Sequence, residues 1–178
     1  MRLDRPPAQK ICILGEFGVG KTSLVNRIVN QTFGKDYLST IGVRTVAHTL
    51  TGTAGNTAHC VFWDIAGEAQ LSTLTAQYAR GAKQCVFVAD GLRPNTVDAA
   101  VNLFESLKQT SPTPFFASLV FTKADLISEW ARPKDLRQDI DAMDWRVFVT
   151  SALSGKGMIA LTDHLAAQAL RTHATQKH

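Results

Sequence analysis

The chain has 178 residues, enough for one domain and too few for two full ones. With 45% apolar and 19% charged residues, 12 Gly and 6 Pro, it is neither collagen-like nor a disordered or low-complexity chain. The net charge of +4 at pH 7 arises without a Lys/Arg run of the kind that forms a nucleic-acid arm, so no nucleic-acid partner is expected.

The first strand is predicted at Lys10–Leu14 (KICIL), too short an apolar run for a secretory signal core. A Gly-rich turn follows, then a helix over Lys21–Val29. Strands at Val43–Leu50 and His59–Ile65 flank TGTAGNTA, whose turn formers make them a hairpin. Helix Ala69–Arg80, strand Cys85–Ala89, helix Thr96–Gln109 and strand Phe115–Phe121 come next. The last three are helix Pro133–Ala142, strand Arg146–Thr150 and helix Lys156–Arg171, with Leu161, Leu165 and Ala169 at four-residue steps on one face. Strands alternating with helices imply an α/β fold. Its six-stranded sheet is mostly parallel, with one antiparallel strand from the hairpin and helices on both faces. No repeat or linker interrupts it, so residues 1–178 are expected to form a single domain, with residues 1–8 and 172–178 as flexible ends.

Cys12, Cys60 and Cys85 each lie inside an apolar run, and none belongs to a CxxC pair. Three reduced core thiols in a cytoplasmic protein are expected. No stretch reaches the roughly 18 apolar residues of a membrane span. The second residue is Arg, the last four are TQKH, and neither a myristoyl nor a prenyl signal is present. Direct stable membrane binding is therefore not expected.

The strongest motif is GEFGVGKT, comprising Gly15, Glu16, Phe17, Gly18, Val19, Gly20, Lys21 and Thr22 and followed by Ser23. It sits between a buried strand and a helix start, the context in which G-x-x-x-x-G-K-[ST] wraps a phosphate in backbone N–H groups. Lys21 would reach the β- and γ-phosphates and Thr22 would coordinate Mg²⁺. Three further segments follow strand ends: WDIAGE with Asp64 and Gly67, TKAD from Thr122 through Lys123 to Asp125, and TSALSGKG with Ser151, Ala152 and Leu153. The carboxyl ends of parallel strands are where an α/β sheet binds ligands, and Asp64 stands where a carboxylate would help hold Mg²⁺. Each tetrapeptide taken singly is commoner as an ordinary turn; their joint order carries the weight.

With these motifs the chain resembles the Ras superfamily of small GTPases, nearest to the Rab branch, over roughly residues 8 to 170. GEFGVGKT, DIAG, TKAD and SAL match the family's guanine-nucleotide motifs, LSTIGV its Rab-type switch I, and YARGA the end of its second helix. The resemblance implies a GTP/GDP-binding switch with slow Mg²⁺-dependent hydrolysis. It implies that Thr22 and Thr40 bind Mg²⁺, with Asp64 supporting it, and that the N–H groups of Thr40 and Gly67 hold the γ-phosphate. Phe33 and Tyr37 would flank the nucleotide, Phe33 against guanine. Asp125 would read the base, Lys123 pack over it and Ala152 meet its oxygen. Effectors and regulators would dock on switch I, switch II, Trp63 and Tyr78.

Three departures stand out. Phe17 fills a loop position that is small in most relatives, Glu68 replaces the Gln that orients the attacking water, and Arg44-Thr45 replaces Asp-Phe after switch I. Lys21, Thr40, Gly67 and Glu68 are thus the candidate catalytic set, with a low rate expected. The alternative is a guanine-nucleotide-binding interaction module that hydrolyses little and acts by recruiting partners. An adenine-nucleotide enzyme would share the phosphate loop but has no use for Asp125.

Overall fold

Period-two burial along the strands explains the layering in the computed structural model, which describes residues 8–31, 42–67, 72–126, 140 and 143–175, with 172–175 as backbone alone. In β1 (Gln9–Leu14), Ile11 and Ile13 face one side and Cys12 and Leu14 the other, and all four are buried. The same alternation runs through β4 (Gln84–Asp90) and β5 (Phe116–Thr122): Val86, Val88 and Val120 on one face, Cys85, Phe87, Leu119 and Phe121 on the other. Strands buried on both faces need helices on both. The first face receives α1 (Lys21–Asn30) through Leu24, Val25 and Ile28, and α4 (Met158–Thr175) through Leu161, Leu165 and Ala169. The second receives α3 (Asn95–Thr110) through Val97, Ala100, Leu103 and Phe104, together with Ala79 of α2 (Thr73–Ala79).

The sheet has six strands in the order β2-β3-β1-β4-β5-β6. Its antiparallel pair is β2 (Val43–Thr51) with β3 (Thr57–Ile65), joined by the expected turn. The pairs β1·β3, β1·β4, β4·β5 and β5·β6 (Arg146–Val149) are parallel. β1 therefore lies inside the sheet with its carboxyl end between those of β3 and β4, which gathers the motif-bearing turns at one edge.

Several boundaries move from their predicted positions. The last helix starts at Met158 rather than Lys156, because Gly157 takes φ 71° and a left-handed residue cannot open an α-helix. It continues to Thr175, past the predicted Arg171. α2 begins at Thr73, where the Ser72 side chain accepts from the Thr75 amide and caps it, although the predicted helix opened at Ala69. Phe115 stays outside β5, and Thr150 lies past β6, where its carbonyl accepts from the Ala124 amide. The predicted helix Pro133–Ala142 lies outside the described residues except for Ile140, whose side chain is buried in the second core.

All three cysteines are free and buried. Burial pushes the Cys12 and Cys60 thiols from 9.0 up to about 12, and Cys85 well above 9.0. As the pH passes 9 the unfolded chain releases protons that the folded chain keeps, so stability falls. Each such thiol contributes a slope of about 1.4 kcal/mol per pH unit. Lys21, pushed down to about 8 by burial, acts with the opposite sign between there and 10.5. Urea titrations from pH 9 to 10, where three thiols outweigh one lysine, should therefore show declining stability, and Cys85→Ala should lose about one thiol's share of that slope. An unchanged slope in the variant would contradict the assignment.

Candidate functional site

The phosphate loop hangs between β1 and α1, and close packing explains its glycines. A Cβ on Gly15 would collide with the Val88 carbonyl of β4, and one on Gly67 with the Phe17 backbone. The segment after β3 thus lies directly against the loop, with no room for a side chain between them. Lys21, almost wholly buried, donates from Nζ to the Gly15 and Glu16 carbonyls, each at 3.0 Å. It curls over the loop as a buried cation. Burial lowers its pKa to about 8 against the opposing pull of Asp64 and Glu16. A phosphate brought to this loop would raise it again and hold the ammonium charged.

Thr22 and Asp64 meet across α1 and β3: Thr22 Oγ1 donates to Asp64 Oδ2 at 2.6 Å. Asp64 is fully buried, and its other oxygen, Oδ1, has no hydrogen-bond partner among the described residues. Burial raises the Asp64 pKa, while Thr22, Lys21 and Arg44 pull it down. A buried carboxylate oxygen left without a donor beside a hydroxyl suits a hard cation, and an all-oxygen donor set favours Mg²⁺ over softer metals. The residues present fit the ion that the sequence implied.

The segment Thr122 to Asp125 lies at the same edge. Thr122 donates its hydroxyl to the Val19 carbonyl at 2.6 Å, tying the end of β5 to the phosphate loop. Lys123 adopts φ 61°, a left-handed conformation that costs a non-glycine residue about 1–2 kcal/mol. Its Nζ lies 2.6 Å from Asp90 Oδ2. Asp125 is exposed, and its Oδ1 accepts a short hydrogen bond from Ser151 Oγ. Ser151 is itself buried, and its Oγ also accepts from the Ser154 amide, so the serine sits fixed beneath the carboxylate. Ala152 and the exposed Leu153 continue the turn after β6. Gly15 to Thr22, Asp64, Gly67, Thr122 to Asp125 and Ser151 to Leu153 therefore converge on one edge of the sheet. Phe33, Tyr37, Thr40 and Glu68 lie outside the described residues.

Phe17 is 57% exposed at the tip of the loop. Trp63 and Tyr78 stand with ring centroids 6.4 Å apart. Thr45, where the resemblance implies Phe, pairs with Trp63 across the β2·β3 ladder. Lys10 Nζ sits 3.6 Å over the Trp63 ring, so a cation covers part of this patch.

Sequence reasoning missed the turn after β4. Asp90, Arg93 and Asn95 all reach the phosphate loop or Lys123. The available signal was Asp90 itself, a carboxylate at the carboxyl end of a central parallel strand.

The family profile described as Roc, the Ras of Complex domain of DAPkinase, matches residues 10–125. Ras-related protein Rab-7L1 of Rattus norvegicus is 34% identical over 130 residues, which cover 71% of this chain and 63% of the relative. Ras-related protein Rab-18 of Lymnaea stagnalis is 41% identical over 100 residues, 54% of this chain and 49% of the relative. Ras-related protein Rab-32 of Mus musculus is 32% identical over 139 residues, 76% and 60% of the two chains. The matches thus span between about half and just under two thirds of these relatives. Among the described residues no helix is long and apolar enough to cross a membrane.

Proposed function

Because this chain belongs to the Ras superfamily of small GTPases, on its Rab-like side, we propose that it is a GTP/GDP-binding switch with slow Mg²⁺-dependent hydrolysis. One observation carries the reading. The buried Lys21, the Thr22–Asp64 pair with its unpartnered oxygen, and the Ser151-held Asp125 all open on the same edge of the sheet. A phosphate cradle alone fits any nucleoside triphosphate; a fixed carboxylate beside it selects the base.

In this reading residues 1–178 act as one nucleotide-binding domain. The backbone N–H groups of Gly18 to Lys21 hold the phosphates and Lys21 Nζ neutralises their charge. Thr22, Thr40 and Asp64 would hold Mg²⁺, which when bound would supply charge neutralisation for the phosphates. Asp125 accepts from the two guanine donors, Ser151 orients it, and Phe33 and Lys123 enclose the base. Gly67, pressed against Phe17, positions an N–H for the γ-phosphate. Loss of that phosphate removes the contact that orders both switch segments. Partner proteins then read the switches and the Trp63–Tyr78 patch. Three free thiols agree with a cytoplasmic setting.

The second reading is a guanine-nucleotide-binding interaction module with little hydrolysis, favoured by the exposed Phe17 at the phosphates. Competition binding tests the shared core of both. GTP and GDP should displace a fluorescent GDP at concentrations at least 10⁴-fold below ATP and ADP, the discrimination expected when the wrong base covers a hydrogen-bonding carboxylate and leaves it unpaired. Comparable affinities would end both readings.

A further inference from the structure

The β4–α3 turn, residues 90 to 96, has no role in the account so far, yet it grips the phosphate loop. Asp90, 2% exposed, accepts from three donors. Arg93 Nε and Lys123 Nζ reach Oδ2 at 3.0 and 2.6 Å, and the Leu92 amide reaches Oδ1 at 3.0 Å. The buried Thr96 closes the turn, its hydroxyl accepting from the Asp90 amide at 2.9 Å and donating to the Arg93 carbonyl at 2.7 Å. From this braced base the Arg93 guanidinium reaches out and donates through Nη2 to the Phe17 carbonyl at 2.9 Å. Beside it the Asn95 amide lies 3.4 Å from the Glu16 carboxylate.

Peptide planarity gives the Arg93 contact its consequence. The Phe17 carbonyl and the Gly18 N–H belong to one trans peptide unit and point in opposite directions. Arg93 holds the oxygen toward the β4–α3 turn and so keeps the Gly18 N–H pointing away from that turn. A guanidinium on the carbonyl also polarises the unit and strengthens its N–H as a donor to an anion.

We infer that Arg93 is a positioning residue for phosphate binding: anchored by Asp90, it sets the Phe17–Gly18 peptide so that the Gly18 N–H meets the β-phosphate. Asp90 also carries Lys123, so the same carboxylate ties the base-covering lysine to the phosphate loop. In this role Arg93 acts through the loop backbone, by its contact with the Phe17 carbonyl. The inference rests on the guanine-nucleotide reading above.

The test compares GDP with GMP, which lacks the β-phosphate, in the wild type, Arg93→Ala and Arg93→Lys. Removing a charge-assisted contact of this kind should weaken GDP binding about tenfold or more, while GMP affinity stays within about twofold. Lysine can pair with Asp90 or reach Phe17 but not fork to both, so Arg93→Lys should remain folded and still lose part of the GDP-over-GMP preference. Equal losses for GDP and GMP in both variants would show a merely structural arginine and overturn the inference, as would no loss for either. A wild type that binds neither nucleotide would overturn the underlying reading, and the inference with it.

Discussion

Asp125→Asn is expected to exchange guanine for xanthine. The carboxylate accepts from the two donors of guanine; an amide accepts from one and presents its own donors to the other. Xanthine carries an oxygen at the 2-position and restores the match. The exposed Asp125 is held from below by Ser151, whose hydroxyl donates to Oδ1, and an Asn side-chain oxygen can keep that contact, so the variant should fold. Because a bound base would cover Asp125 and leave a mismatched donor or acceptor out of reach of water, GDP affinity should fall by about 10³-fold or more and xanthosine diphosphate should become the preferred ligand. Displacement of a fluorescent nucleotide by GDP and by xanthosine diphosphate measures both affinities. Retained guanine preference in the variant would remove Asp125 from base reading.

The second large effect concerns hydrolysis, and it turns on Glu68 and Phe17. Phosphoryl transfer depends on positioning water and neutralising charge. A glutamine amide can donate to a γ-phosphate oxygen while accepting from water, whereas an ionised Glu68 only accepts. In the proposed role it would also bring negative charge toward the triphosphate, at a cost of about 4 kcal/mol at 4 Å for an effective dielectric near 20. Glu68→Gln should therefore speed single-turnover GTP hydrolysis about tenfold or more. Phe17 adds a steric effect. Its ring is 57% exposed at the loop tip, with its backbone against Gly67; a phenyl group there would obstruct an arginine inserted by a partner. Phe17→Gly should leave intrinsic hydrolysis slow but make it responsive to such a partner. A Glu68→Gln variant slower than wild type would mean that the carboxylate serves as a general base, reversing the argument.

The sequence carried most of this site because its chemistry is local. Gly15 to Thr22 announce a phosphate loop through spacing alone; Asp64 lies near the end of one apolar strand, and Asp125 and Ser151 follow two others. The parallel order of those strands then brings their ends together. Helix boundaries were less legible, since they depend on single backbone angles: Gly157 at φ 71° delays α4 to Met158, and the Ser72 cap opens α2. Least legible was the β4–α3 turn. Asp90 and Arg93 follow no spacing rule, and what they do depends on Lys123 and Phe17, 33 and 76 residues away along the chain. Only the fold puts those four residues in contact. Lys10 over Trp63 is a similar case, a stacking contact between neighbouring strands that neither motif nor periodicity encodes.

The nucleotide carried by the freshly purified protein tests the central claim most directly. The account predicts GDP or GTP in near-stoichiometric amount, released on denaturation and decaying slowly from GTP to GDP in the native protein when loaded with the triphosphate. An adenine nucleotide in its place, or ATP displacing the bound ligand as readily as GTP, would contradict it.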